Sequence, residues 1–255
     1  MLRTDDLMNG YHILQDTDFF CFGIDAVLLS HYPALKAGDR VMDLGTGFAP
    51  IPLIMHAEAR RQGLVPGFKI TGLELQERPA EIAARSVAEN HLSDEIEIVR
   101  GDIREAEELF GPASFSLVTC NPPYMPAGDG IKSADEARAI ARTEIRCTLE
   151  DVIRTASALL KMRGRFAMIH RPFRLPEIMA CLTKYHLEPK RMRMVHPAAD
   201  TEPSMVLIES VKGGRPRLAV DPPLIVYNKD RTYTEEIYKI YGWNPVSGGD
   251  SHRQS

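Results

Sequence analysis

Residues 121–124 read Asn-Pro-Pro-Tyr and follow directly on the apolar run Phe115-Ser-Leu-Val-Thr-Cys120. Two consecutive prolines hold φ near about −65° and remove two backbone donors, so the chain must leave its strand there in an extended turn with free carbonyls. The side-chain oxygen of Asn121 and the carbonyl of Pro122 can each accept a hydrogen bond from an incoming N–H, and the Tyr124 ring offers a flat surface to a flat group. Such a clamp suits chemistry at a planar nitrogen, which makes Asn121, Pro122 and Tyr124 the candidate catalytic residues. A strand followed by a Pro-rich turn has the same local pattern. What precedes the tetrapeptide must decide.

A second group of residues lies upstream. Asp43-Leu-Gly-Thr-Gly47 closes one apolar run and leads through Phe48-Ala-Pro into a helical pattern, the strand, glycine-turn, helix order of a nucleotide-cofactor fold. Gly45 and Gly47 allow backbone to approach a ligand closely, and Ala49 stands near the place of the usual third glycine. The next run ends at Glu74, placed to accept both ribose hydroxyls, and the one after is followed by Gly101-Asp102, which can take an adenine amino group. A carboxylate at Asp43 would repel a dinucleotide pyrophosphate but suits a cofactor that carries an amino group. S-adenosylmethionine is such a cofactor. A non-binding scaffold whose carboxylates only cap helices is the alternative.

The elements that must position these groups follow from periodicity. Arg40–Leu44, Lys69–Leu73, Glu95–Val99, Phe115–Cys120 and Arg165–His170 are β-rich runs, alternating with helical patterns at Ile51–Arg61, Pro79–Asn90 and Leu149–Met162. Arg191–Val195 and Ser204–Val211 then suit an antiparallel hairpin at the sheet edge. The expected fold is α/β, Rossmann-like: a seven-stranded, mostly parallel sheet with an antiparallel C-terminal hairpin strand and helices on both faces. One domain is expected over residues 1–242, with 1–39 covering the cofactor and a flexible polar tail over 243–255.

With 255 residues, 44% of them hydrophobic, the chain can bury a full core. The N-terminus lacks the pattern of a signal peptide and no run is long and apolar enough for a membrane span, so a cytoplasmic protein with no membrane partner is expected. Cys21, Cys120, Cys147 and Cys181 have no paired spacing, which favours free thiols over disulfides or a metal site. His12, His31, His91, His186 and His196 are scattered and read as exposed or capping residues. A net charge of −4 argues against a nucleic-acid partner until its distribution is considered. Twelve acidic and seven basic residues fall between Glu58 and Glu108, whereas Leu160–His196 holds nine basic residues against Glu177 and Glu188. Those nine are Lys161, Arg163, Arg165, Arg171, Arg174, Lys184, Lys190, Arg191 and Arg193. They form either a phosphate-binding face or a solvated surface. Arg138, Arg142 and Arg146, at helical spacing, form a second basic stripe with the same two readings.

The order Asp43-Leu-Gly-Thr-Gly47, Glu74, Asp102, Asn121-Pro-Pro-Tyr124 resembles the class I S-adenosylmethionine-dependent methyltransferases that act on exocyclic amines and amides. The resemblance implies that Asp43 lies near the methionine part of the cofactor, that Glu74 binds the ribose, and that Asp102 with the Ile103 amide binds the adenine. A closer likeness covers residues from about 12 to 242 through Phe22-Gly-Ile-Asp-Ala-Val-Leu-Leu29, Ala141-Arg-Thr-Glu144, His170-Arg-Pro172 and Pro222-Pro-Leu-Ile-Val-Tyr227. In these the chain is similar to the bacterial tRNA adenine-N6 methyltransferases that modify position 37 of the valine-1 tRNA, with Thr143 where that family commonly carries His. This implies tRNA as partner. Phe22–Leu29 reads as a lid over the cofactor with Phe22 and Asp25 near it, or as an amphipathic helix packed beside the first strand, and its dominant apolar residues favour mostly packing. Arg138, Arg142, Arg171, Arg174, Lys190, Arg191 and Arg193 are the candidate RNA contacts.

An aromatic amine is a poor nucleophile because its lone pair is delocalised. Hydrogen bonds to Asn121 and Pro122 that align better with a tetrahedral than a planar nitrogen would favour the transition state. A protein glutamine amide poses the same geometric problem, so a release-factor type methyltransferase is the main rival. Its family carries a helical domain before the first strand, and the roughly forty residues that precede it here are expected to be too few for one. A DNA adenine methyltransferase would need a target-recognition domain, and a silent RNA-binding module would not need Asn121 and Asp43.

Overall fold

Val41 and Met42, Leu117 and Val118, and Ala167 and Met168 are chain neighbours that enter two different cores. Alternation of side chains along a strand produces this, and it occurs only where a sheet is covered on both faces. The computed structural model describes residues 1–7, 10–122 and 147–243. Its central strands are β3 (Arg40–Leu44), β4 (Lys69–Glu74), β5 (Ile96–Arg100), β6 (Phe115–Cys120) and β7 (Leu160–His170). They lie in the order β5-β4-β3-β6-β7, all parallel. One face carries α1 (Ile24–His31), α2 (Pro50–Arg61) and α3 (Glu77–Glu89), which contribute Leu28, Leu53 and Ile82 to the first core. The other face carries α4 (Ala106–Phe110), α5 (Leu149–Leu159) and α6 (Leu175–Lys184), which contribute Ala106, Ile153 and Ile178 to the second.

The expected edge hairpin is β8 (Leu187–His196) with β9 (Met205–Lys212), and β9 inserts antiparallel between β7 and β8. Among the described residues the sheet has nine strands rather than seven, because the two-residue strands β10 (Ala219–Val220) and β11 (Leu224–Ile225) add parallel to β8. Before the sheet stands a hairpin that periodicity did not announce, β1 (Leu2–Asp6) with β2 (His12–Asp16). It is tied to α3 by side chains. The Leu14 amide donates to Ser86 Oγ at 2.9 Å, and Asn90 accepts from the His12 amide at 3.0 Å while donating to its carbonyl at 2.7 Å.

Strand β7 begins at Leu160, five residues before the expected Arg165, and a register irregularity against β6 lies in that first stretch. Far from any ligand crevice, at the start of the parallel strands, Arg165 is buried and pairs with Asp39 at 2.6 Å. The last described helix, α7 (Glu235–Tyr241), is held by a stack of rings in which Tyr233 lies over Tyr227 and Tyr241 lies over Trp243. Among the described residues no helix is long and apolar enough to cross a membrane.

Candidate functional site

From the central strand β3 the chain winds outward to β4 and β5 and returns on the other side as β6. A crevice opens at the carboxyl ends of the two strands at such a switch point, and ligands bind there. The register puts the predicted residues along that edge: Leu44 is level with both Leu73 and Cys120, and Glu74 is level with Arg100. Asp43, Glu74, Asp102 and Asn121 are thereby gathered at one end of the sheet.

The glycine turn is shaped by backbone bonds. The amides of Gly45 and Thr46 both donate to the Leu73 carbonyl, at 2.9 and 3.0 Å, which requires φ of +72° at Gly45 and is followed by +57° at Gly47. These are left-handed conformations that glycine adopts without cost. A methyl group built on Gly47 would meet open space, and one on Gly45 would lie 3.9 Å from Ile103 Cδ1, so Ile103 walls the same crevice. Ala49, at the place of the third glycine, has φ +65° and caps α2. The Gly47 amide donates to Glu74 Oε2 at 2.9 Å and the Gln76 amide to Oε1 at 2.8 Å, which fixes the buried carboxylate in place.

Asp43 is almost wholly buried, and Thr119, its register partner on β6, donates to Oδ1 at 2.7 Å. Burial pushes its carboxyl up to about 7, and the charge of Glu74 adds to this; the hydroxyls of Thr46 and Thr119 act the other way. Thr46 lies close enough to be felt but makes no hydrogen bond, so Thr46 Oγ1 and Asp43 Oδ2 are both buried without a partner. Asn121 Oδ1 is a third such atom. Unpartnered buried polar groups are costly and persist where a ligand completes them. Three of them beside an open glycine turn fit an amino-acid cofactor with a nearby acceptor group.

Other predicted residues are placed differently. Asp102 caps the turn at Ile103–Glu105 and takes the Arg104 amide at 2.9 Å and the Arg104 guanidinium at 3.0 Å, so an adenine amine would share it with that cation. Phe22 is half-buried against the first core, its amide on Gln15 Oε1 at 2.9 Å, while Phe19 packs edge-on against Phe48 of the glycine loop at 6.3 Å. Asp25 is buried and faces Asn121, whose Nδ2 donates to Asp25 Oδ2 at 3.0 Å. Tyr124, Arg138, Arg142, Thr143 and Arg146 lie outside the described residues.

The basic stretch of Leu160–His196 is divided by topology. Leu160 is level with Phe115 at the start of β6, and Leu187 is level with Lys212, so Lys161, Arg163, Lys184 and Lys190 lie toward the end of the sheet opposite Asn121. Arg171 and Arg174 follow the carboxyl end of β7, beside the crevice. Many of the charges have acidic partners: Arg174 with Glu177 at 2.8 Å, Arg191 with Asp221 at 2.9 Å and Glu209 at 3.3 Å, and Arg193 with Glu236 at 2.6 Å.

Two groups escaped sequence reasoning. Thr119 was visible only as a strand residue, and its meeting with Asp43 depends on strand order. His170 ends β7, buried, with its Nδ1 accepting from the Arg171 amide at 2.7 Å; burial first and Arg174 next push its pKa down to about 4, so it is neutral. Of the scattered histidines, His91 and His186 take left-handed positions after α3 and α6, and His196 Nδ1 bonds the Thr201 carbonyl at 2.7 Å; His56 is buried, its Nδ1 3.0 Å from the Tyr11 hydroxyl. The four cysteines are free thiols, of which Cys120 is buried and the rest half-buried.

Residues 23–185 match the methyltransferase small domain family. A protein of Porphyromonas gingivalis named tRNA1(Val) (adenine(37)-N6)-methyltransferase is 33% identical over 193 residues, covering 73% of this chain and 72% of that protein. One of the same name from Bacteroides thetaiotaomicron is 29% identical over 188 residues, covering 73% and 74%. Among solved structures, one described as a predicted O-methyltransferase of Agrobacterium tumefaciens superposes with a TM-score of 0.68 at 25% identity, covering 86% of this chain and 95% of that one. A geranyl diphosphate C-methyltransferase of Streptomyces coelicolor, solved with S-adenosyl-L-homocysteine, shares the fold with a TM-score of 0.53 at 14% identity, covering 74% and 77%.

Proposed function

This chain belongs to the methyltransferase small domain family and is an S-adenosylmethionine-dependent methyltransferase, and we propose that its acceptor is the exocyclic N6 amine of an adenine in tRNA. The adenine is that of position 37 in a valine tRNA, as the names of the relatives in Porphyromonas and Bacteroides say of those proteins. Such a substrate makes the cytoplasm its place of work. The observation that carries the reading is Asn121 Oδ1, a buried acceptor without a partner at the carboxyl end of β6, on the strand next to the one that bears Asp43.

The residues divide the work. Asp43 Oδ2 and Thr46 Oγ1 would hold the amino-acid part of the cofactor, Glu74 the ribose, and Asp102 and Ile103 the base end. The bound cofactor supplies an electrophilic methyl on a sulfonium. Asn121 Oδ1 and the Pro122 carbonyl would accept hydrogen bonds from the two amine hydrogens and draw the nitrogen toward a pyramidal form, which strengthens both bonds as the reaction proceeds, and one of the two protons would pass to water once the nitrogen carries the methyl. Tyr124 stacks on the base, worth on the order of 1–3 kcal/mol. An anticodon-loop adenine is single-stranded already, so little pairing energy is spent to expose it. Arg171 and Arg174, beside the crevice, would meet the RNA backbone.

The test is an acceptor panel with labelled S-adenosylmethionine: unmodified bacterial tRNA, ribosomal RNA, DNA and release factor. Label in tRNA, recovered as N6-methyladenosine, is the expected result. Label in the release factor, or in none of the nucleic acids, overturns the acceptor.

A further inference from the structure

The two ends of an Asn side chain have the same shape and opposite chemistry. If Asn121 turned its NH2 toward the acceptor amine, two donors would face each other and the clamp would fail. From the bond between Asn121 Nδ2 and Asp25 Oδ2 at 3.0 Å, we infer that Asp25 is a positioning residue that sets the orientation of Asn121 and so aims its oxygen at the acceptor. The inference rests on the proposed role of Asn121.

Three observations support it. An ionised carboxylate accepts and cannot donate, so Asn121 must present nitrogen to Asp25 and its oxygen is the atom left for the pocket. That oxygen is buried and without a partner. Asp25 is itself fixed: it lies in the first turn of α1, where a negative charge is favoured, it is only 7% exposed, and its Oδ1 accepts the Ala26 amide at 3.0 Å. Gly23 leaves room for this, since a methyl group there would come within 3.0 Å of Asp25 Oδ1. The residue thus acts on the acceptor side of the site through Asn121.

The arrangement predicts an unusual response to Asp25→Asn. An Asn at 25 has one acceptor atom, and the Ala26 amide needs it. Its NH2 then faces Asn121, which must turn its own oxygen back toward position 25 and give up the pocket. The reciprocal pair, Asp25→Asn with Asn121→Asp, restores the pattern: Asn at 25 donates to one carboxylate oxygen, and the other faces the pocket.

Turnover on the best acceptor of the panel, cofactor affinity and acceptor KM are measured for wild type, Asp25→Asn and the reciprocal pair. Asp25→Asn is expected to lower kcat by roughly 100–1000-fold, the loss typical of a misplaced transition-state hydrogen bond, with cofactor affinity within about threefold of wild type. The reciprocal pair is expected to regain at least about tenfold over the single variant, as coupled neighbours do. Near-normal kcat in Asp25→Asn overturns the inference. So does a loss of cofactor binding equal to the loss of turnover, or a reciprocal pair no better than the single variant. Methylation of release factor instead of tRNA by the wild type refutes the proposed acceptor, and the same ratios read on that acceptor still decide the role of Asp25.

Discussion

Replacing Asp43 by Asn is expected to make the cofactor-free protein more stable while abolishing cofactor binding. Burial raises the Asp43 carboxyl from an ordinary 3.8 to about 7, so the folded chain resists its ionisation. The sign follows from linkage: between these values the folded state holds the proton and the unfolded state does not, so stability falls as pH rises from about 4 to about 7. At roughly 1.4 kcal/mol for each pH unit of the shift, the ionised group costs the native state about 4 kcal/mol at pH 8. Asn cannot ionise and keeps the oxygen that accepts from Thr119 at 2.7 Å. Its NH2, in place of the unpartnered Oδ2, is a buried donor worth a penalty of about 1–3 kcal/mol. The net gain is about 1–3 kcal/mol, a rise in melting temperature of roughly 5 °C for a protein of this size. Thermal melts from pH 5 to 8 with and without S-adenosylmethionine measure it. The stability difference between variant and wild type should shrink by about 2–3 kcal/mol between pH 8 and pH 5. The cofactor, which stabilises wild type by about 2.7 kcal/mol at a hundred times its Kd, should leave the variant unmoved. A destabilised variant that still responds to the cofactor would refute the reasoning.

Three further outcomes follow from the same structure. Glu74→Gln replaces one of two acceptors with a donor that must face the amide of Gly47 or Gln76, and calorimetry should show cofactor affinity reduced by roughly 10–100-fold. Arg171→Ala, beside the crevice, should weaken tRNA binding and reduce the slope of its salt dependence by about 1, with cofactor affinity unchanged in a filter-binding series. Arg165→Ala leaves Asp39 buried and unpaired at the opposite end of the sheet; denaturant melts should lose about 3–5 kcal/mol while the cofactor-induced shift persists.

How far the sequence revealed these features depends on whether their cause is local. Arg40–Leu44 and Phe115–Cys120 have the bounds that their β-rich composition and flanking turns predicted, because a strand covered on both faces is mostly apolar. Leu159 and Leu160 continue the helical period of α5, so local sequence favours a helix at Leu160, and only pairing with Phe115 makes it a strand. The Leu2–Asp6 strand is polar and exists through its partner β2 and the docking of that strand on Ser86 and Asn90. The carboxylates at the strand ends were legible from order along the chain. The bond from Asn121 to Asp25, between residues 96 apart, was not, and the positioning role proposed for Asp25 rests on it. Charge counting joined Lys161 to Arg193 as one face, whereas strand direction carries Lys161 and Lys190 to the end away from Asn121 and leaves Arg171 and Arg174 beside it.

The most direct measurement is nucleoside mass spectrometry with position mapping on unmodified valine tRNA treated with wild type or with Asn121→Ala, alongside S-adenosylmethionine binding by both proteins. N6-methyladenosine at position 37 with wild type, and its absence with an Asn121→Ala protein that binds the cofactor normally, is the predicted result. Full methylation by Asn121→Ala, or a methyl group placed anywhere but on an adenine N6, would contradict the account.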